Sequence, residues 1–129
     1  TYDFDFVNTT TLYVADDRSA ASGGCLQKWT FAAGSWSLQY TIAVTNGLRS
    51  IATAQTGPGV YTIYGITGGA SAGAATNLIS ITDLGAGSGV NVLATSSAGT
   101  LFRSVELIPT PGSAALLGLA GLVGMRRRR

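Results

Sequence analysis

At 129 residues, 46% of them hydrophobic and 9% aromatic, the chain has room for one domain with a core of modest size. Its formal charge of +2 misleads, because four of the eight basic residues are Arg126 to Arg129 and the remainder carries four basic against six acidic residues. A terminal block of arginines is not a basic face, which argues against nucleic acid as a partner. No histidine and a single cysteine, Cys25, exclude a disulfide framework and a Cys/His zinc site built from this chain alone.

Only 11% of residues are charged and 18 are glycine, a composition that suits β-strands joined by tight turns. The chain opens on Thr1-Tyr2-Asp3-Phe4, without Met, a basic segment or an apolar run. The expectation is a removed export signal or a longer chain upstream. In Tyr2-Asp3-Phe4-Asp5-Phe6 the aromatics fall on one face of a strand and the carboxylates on the other. Further strands are predicted at Thr11 to Asp16, Cys25 to Phe31, Trp36 to Ile42, Leu48 to Ala54, Val60 to Ile66, Leu78 to Thr82, Val90 to Ala94 and Leu101 to Leu107. Gly34-Ser35 suits a tight hairpin, Asn46-Gly47 a turn with positive φ, and Gly57-Pro58-Gly59 a break. Gly68 to Ala75 reads as a loop of small residues.

The chain also repeats. Leu48-Arg49-Ser50-Ile51 matches Phe102-Arg103-Ser104-Val105 after 54 residues, Leu12-Tyr13 matches Ile63-Tyr64 after 51, and Leu26 to Trp29 aligns with Leu78 to Ile81 after 52. A period near fifty that holds four short strands is what a β-propeller blade requires. The expected fold is therefore all-β, with about two four-stranded propeller-like blades at about 2–42 and 48–94 and a final strand at 101–107. Two blades do not close a ring, so further blades are expected upstream. An open antiparallel sandwich of nine strands is the alternative.

Leu12-Tyr13-Val14-Ala15-Asp16-Asp17-Arg18, followed by Leu26-Gln27-Lys28-Trp29-Thr30-Phe31, resembles the blade motif of NHL-type propellers over about one blade. The second copy, Tyr61 to Thr82, lacks the Ala-Asp pair.

After Ile108 the sequence changes character. Pro109-Thr110-Pro111-Gly112 breaks any strand, Ser113 can cap a helix, and the run Ala114 to Met125 carries no charge. The predicted helix at 114–125, with Ala114, Leu116, Leu117, Leu119, Leu122 and Val123 facing lipid, is short for a bilayer that takes about 20 residues. Arg126, Arg127, Arg128 and Arg129 extend its reach by snorkelling and keep that end in the cytoplasm. A buried C-terminal helix is the competing reading, but an all-apolar helix offers solvent no polar face.

Pro109 to Arg129 resembles the PEP-CTERM sorting signal, in which a Pro-Glu-Pro motif, a short transmembrane helix and an arginine cluster direct processing by an exosortase. Thr110 stands where that family carries Glu, so the sorting motif here is Pro109, Thr110, Pro111. A Leu-Pro-x-Thr-Gly sortase signal matches less well, since Pro111 stands where Thr is needed. The resemblance implies export, an inner-membrane anchor through the tail, and then a place at the cell surface or outside the cell. The membrane and an exosortase-type enzyme are the implied partners.

No catalytic residue, metal or cofactor is expected. Without histidine the commonest general base and every Ser-His triad are missing, and Cys25 has no His to activate it. Gly85-Ala86-Gly87-Ser88-Gly89 has no lysine after it and reads as a turn, not a phosphate loop. Asp16 and Asp17, with Asp3 and Asp5, are turn chemistry in preference to calcium ligands. Trp29, Trp36 and Tyr40 are expected to pack between sheets, the alternative being a stacking platform for an extracellular polysaccharide. Lys28 and Arg49 read as solvated charges. The function these features favour is a bacterial cell-surface or matrix-associated structural or interaction protein. The alternative is a piece of a propeller hydrolase or lactonase whose calcium-dependent site lies in further blades.

Overall fold

The structure, a computed structural model, describes residues 2–69 and 73–108. The sorting motif, the membrane helix and the terminal arginines named above lie outside the described residues. Eight strands follow one another: β1 Asp3–Asn8, β2 Thr11–Asp16, β3 Cys25–Ala32, β4 Ser35–Ile42, β5 Leu48–Gly57, β6 Val60–Thr67, β7 Asn77–Thr82 and β8 Val90–Thr95. The described helix is one 3-10 turn at Ala20–Ser22. The strands form two four-stranded antiparallel sheets in the orders β1-β2-β3-β4 and β5-β6-β7-β8, each a plain meander. Eight of the expected strands are present, with ends shifted by a few residues at most. The ninth is a correction: 101–107 has no ladder partner and is not a strand.

Alternation decides the faces. On the first sheet Asp5, Tyr13, Lys28 and Tyr40 lie in one row across the four strands, and Ala15 and Leu26 in another. This face meets the second sheet, where Ile51, Gly65, Ile79 and Val92 form one row and Thr53, Ile63, Ile81 and Val90 the next. Tyr13, Ala15, Leu26 and Ile42 from one sheet and Leu48, Ile51, Ile63, Ile79 and Ile81 from the other build a single core. Tyr13 and Tyr61 meet edge to face across it with ring centroids 6.3 Å apart. Burying one such Leu or Ile contributes about 2 kcal/mol, so this seam is the main source of stability.

At one edge β1 and β5 run side by side and are joined through side chains, not a ladder. Asp3 Oδ2 accepts from the Ile51 N–H at 2.9 Å and the Ser50 hydroxyl at 3.1 Å. Asp5 Oδ2 accepts from the Thr53 N–H at 2.7 Å and its hydroxyl at 2.5 Å. Both carboxylates thus occupy unpaired edge donors of β5 and blunt that edge. The segment after β8 stands in a like position on the far face of β5: the Val105 N–H donates to Ser50 Oγ at 3.3 Å and the Phe102 N–H to Thr76 Oγ1 at 2.8 Å.

Two turns carry the left-handed backbone that the sequence foreshadows. Asn46 and Gly47 both have φ of 66°, as expected for that pair. The β3–β4 hairpin differs by one position: its two positive-φ residues are Ala33 (50°) and Gly34 (82°), with Ser35 already in the strand. An Ala at the first turn position hid this from a reading that looked for Gly. At Gly34 a Cβ would meet open space, whereas at Gly47 it would lie 2.4 Å from the Asp17 backbone. Gly34→Ala should therefore cost only the left-handed strain, about 1–2 kcal/mol, while Gly47→Ala should cost clearly more because backbone must shift. Urea denaturation of the two variants side by side tests this, and equal midpoints would contradict the close approach.

Candidate functional site

The most concentrated polar chemistry lies between the sheets. Tyr13 on β2, Lys28 on β3 and Tyr40 on β4 are directly opposite one another, so their side chains stand side by side on the face turned toward the second sheet. Asp83, one residue past β7, enters this row. Its Oδ2 accepts from the Tyr13 hydroxyl and from Lys28 Nζ at 2.7 Å. Its Oδ1 accepts from the Tyr40 hydroxyl at 2.5 Å and from the Gly85 N–H at 3.1 Å. Lys28 Nζ also lies over both rings, 5.7 Å from the Tyr13 centroid and 5.4 Å from that of Tyr40. The Asp83 side chain is 3% exposed and that of Lys28 21%.

The loop after β7 holds Asp83 in place. The Asp83 N–H donates to the Tyr61 carbonyl at 2.9 Å. Ser88 Oγ accepts from the Leu84 N–H at 2.8 Å and donates to the Gly85 carbonyl at 2.6 Å. The glycine run 85–89 is the turn expected from its sequence, and its task is to orient one carboxylate.

The electrostatics follow from this geometry. Burial pushes the Asp83 carboxyl up, but the bonds from Lys28, Tyr13, Tyr40 and the Gly85 N–H outweigh it and bring its pKa down to about 2. Burial alone would lower Lys28, yet its bonds to Asp83 and Tyr40 leave it raised. Burial, then the Asp83 carboxylate, pushes both tyrosine hydroxyls up. Every group is moved away from neutrality. A general base or nucleophile needs the opposite, a pKa brought near the working pH. The cluster is a clamp between sheets, with an ionised acceptor satisfied by four donors.

Lys28 is thus a correction to the sequence reading: it is paired with a buried acid. Asp83 was not singled out, because its partners lie 43 to 70 residues away in the chain. Arg49 is closer to expectation, half-exposed, 3.8 Å from Asp17 Oδ2 and over the Tyr2 ring.

The other carboxylates weighed as calcium ligands are engaged elsewhere. Asp3 and Asp5 serve β5. Asp16 is buried and takes a forked bond from Arg18, at 3.0 and 3.2 Å from Nε and 2.8 Å from Nη2. Those hydrogen bonds hold its carboxyl well below the usual range. Among the described residues no group of three or more His, Cys, Asp or Glu could hold a metal ion. Cys25 is buried, its thiol 3.2 Å from the Val44 carbonyl.

The aromatic trio does not form one unit. Tyr40 points into the clamp, while Trp29 and Trp36 lie on the opposite face of the first sheet, where Trp36 is 37% exposed. Expected to pack between the sheets, Trp36 instead joins a surface group. Phe4 and Phe6 meet edge to face at 5.8 Å, Phe6 and Trp36 likewise at 5.8 Å, and Phe31 and Trp36 lie tilted at 5.3 Å.

Asp83 has a depressed pKa, so its contribution is full above the unfolded value of about 3.9 and is lost as pH falls through about 2. Lys28, being raised, contributes below about 10.4 and loses that contribution as pH climbs past its folded value. Stability should be flat near neutrality and fall between about pH 4 and 2. Asp83→Asn should cost roughly 3 kcal/mol by stranding a buried cation, and should shrink the acid limb. Tyr13→Phe should cost about 1 kcal/mol. Urea titrations across pH check both, and an Asp83→Asn variant as stable as the parent would refute the clamp. Comparisons with family models, with curated proteins and with solved structures return no match for this chain.

Proposed function

We propose that this chain is an exported protein of the cell surface or extracellular matrix, structural or interaction-forming in role, and sorted through a PEP-CTERM-like tail. The observation that carries the reading is the order of the last 21 residues: Pro109-Thr110-Pro111, the uncharged run Ala114 to Met125, then Arg126 to Arg129. Positive charge stays cytoplasmic, so such a tail holds the preceding module outside. A helix this short anchors weakly, each central Leu or Val contributing about −0.3 to −0.6 kcal/mol, which leaves release to processing. Among the described residues no helix is long and apolar enough to cross a membrane.

We read the exported module as propeller-like blades. In support, each sheet is a four-stranded meander, the chain passes from the last strand of one sheet to the first of the next, and the first strands lie together. The placement of Val105 on Ser50 as Ile51 lies on Asp3 supports 101–107 as the start of a further unit.

Replacing Arg126 to Arg129 with serine should scramble orientation or release unprocessed protein. Protease protection of the body and mass spectrometry of the C-terminal peptide report the outcome. An arginine-less variant cleaved and localised like the parent would make the tail an ordinary hydrophobic end of the fold.

A further inference from the structure

We propose that Lys28 and Asp83 condense into an isopeptide bond, a covalent staple between the two sheets that the chain makes by itself. With a single cysteine the sequence has no disulfide to tie them, and Lys28 is its only lysine. Lys28 lies on β3 of the first sheet and Asp83 just past β7 of the second, with Lys28 Nζ 2.7 Å from Asp83 Oδ2. The Asp83 side chain is 3% exposed, and the rings of Tyr13 and Tyr40 flank the amine. Two groups held in contact in this way react as one molecule, at effective concentrations that reach about 10⁵–10⁸ M. An amide that water hydrolyses when its parts are free is therefore favoured when both are fixed. Its formation also removes two charges whose burial is costly.

The donors around the carboxylate divide its oxygens by role. Oδ1 accepts from the Tyr40 hydroxyl at 2.5 Å and the Gly85 N–H at 3.1 Å, two donors that stabilise the negative charge gathering there as Nζ adds to Cγ. Oδ2 accepts from the Tyr13 hydroxyl and from Lys28 itself, so the oxygen that must leave as water already carries proton donors. The step balances within the pair. One ammonium proton crosses to Oδ2, leaving a neutral amine beside a carboxylic acid, and Nζ then bonds to Cγ. A second proton passes from Nζ through the Tyr13 hydroxyl to Oδ2, the Cγ–Oδ2 bond breaks and water departs. The third proton stays on the amide nitrogen, and no oxidant, cofactor or activated donor enters. The neutral pair holds as many protons as the ion pair, so forming it draws none from solvent and requires neither group to titrate near neutrality. The shifts described above make that pair rare, which makes the condensation slow, a single event in the life of the chain. The acid limb predicted for the ion pair belongs to the chain before this bond forms.

Intact-mass spectrometry of the full chain, kept folded for days and denatured just before measurement, is the test. The parent should become lighter by the mass of one water, and a chymotryptic digest should contain a branched peptide joining Lys28 to Asp83. Lys28→Arg preserves the charge but offers no amine, and should stay at its full mass. In Tyr40→Phe, which loses one donor to Oδ1, the lighter species should accumulate at least about tenfold more slowly. A folded parent that remains at full mass overturns the proposal. So does a loss of water shared by Lys28→Arg, which would mark a succinimide or another dehydration unrelated to the lysine.

Discussion

The two sheets are held in one relation by the Asp83 carboxylate. An apolar seam between sheets is permissive: isoleucines facing leucine and tyrosine tolerate sliding and rotation at little cost, because dispersion and burial are weakly directional. A buried carboxylate is not permissive. Displaced from Tyr13, Lys28, Tyr40 and the Gly85 N–H, it would face desolvation without partners, and Lys28 would lose the counter-charge it is paired with. The clamp therefore sets the register in which the apolar rows meet. As an ion pair it need add little net stability; what it adds is a high cost for any other arrangement.

The same economy appears at the β1–β5 edge. Two adjacent edge strands with free N–H groups could pair into one continuous eight-stranded sheet. Asp3 and Asp5 prevent this by taking the Ile51 and Thr53 donors side-on, so the sheets stay separate and stack. Side-chain latches in place of a ladder allow the angle between sheets that face-to-face packing of twisted sheets needs. The junction between the two sheets then consists of an apolar seam, a latch at the first strands and, where Asp83 reaches in, a polar clamp.

Such a design fits the structural or display role proposed for the chain. Its strongest electrostatic feature drives acid, base and phenols away from neutral pKa values. The outward rows of its first sheet, Phe6, Leu12, Trp29 and Leu38 among them, are aromatic and uncharged.

Strand positions were legible in the sequence because alternation and turn residues are local. Phe4 and Asp5 declare opposite faces within three residues, and Asn46-Gly47 declares its turn within two. The repeat was legible too, and its offsets place Leu12 and Ile63 on equivalent faces. What escaped was everything fixed by partners distant in the chain. Leu101 to Leu107 has a strand's alternation, but strand status needs a neighbouring backbone, and among the described residues it has only the hydroxyls of Ser50 and Thr76. Lys28 alternates like any solvent-facing charge, and only the arrival of Asp83 from the other sheet buries and pairs it. Trp36 and Tyr40 read alike as core aromatics; the bulge at Gln39, where Lys28 opposes Tyr40 and Trp29 opposes Leu38, sends them to opposite faces. The sequence by itself thus determined the all-β class, the strands β1 to β8 and the turn at Asn46-Gly47, since these rest on residues close in the chain. Only the tertiary structure decided which charge is buried, which aromatics are exposed and how the sheets are tied, since these depend on how two sheets meet in space.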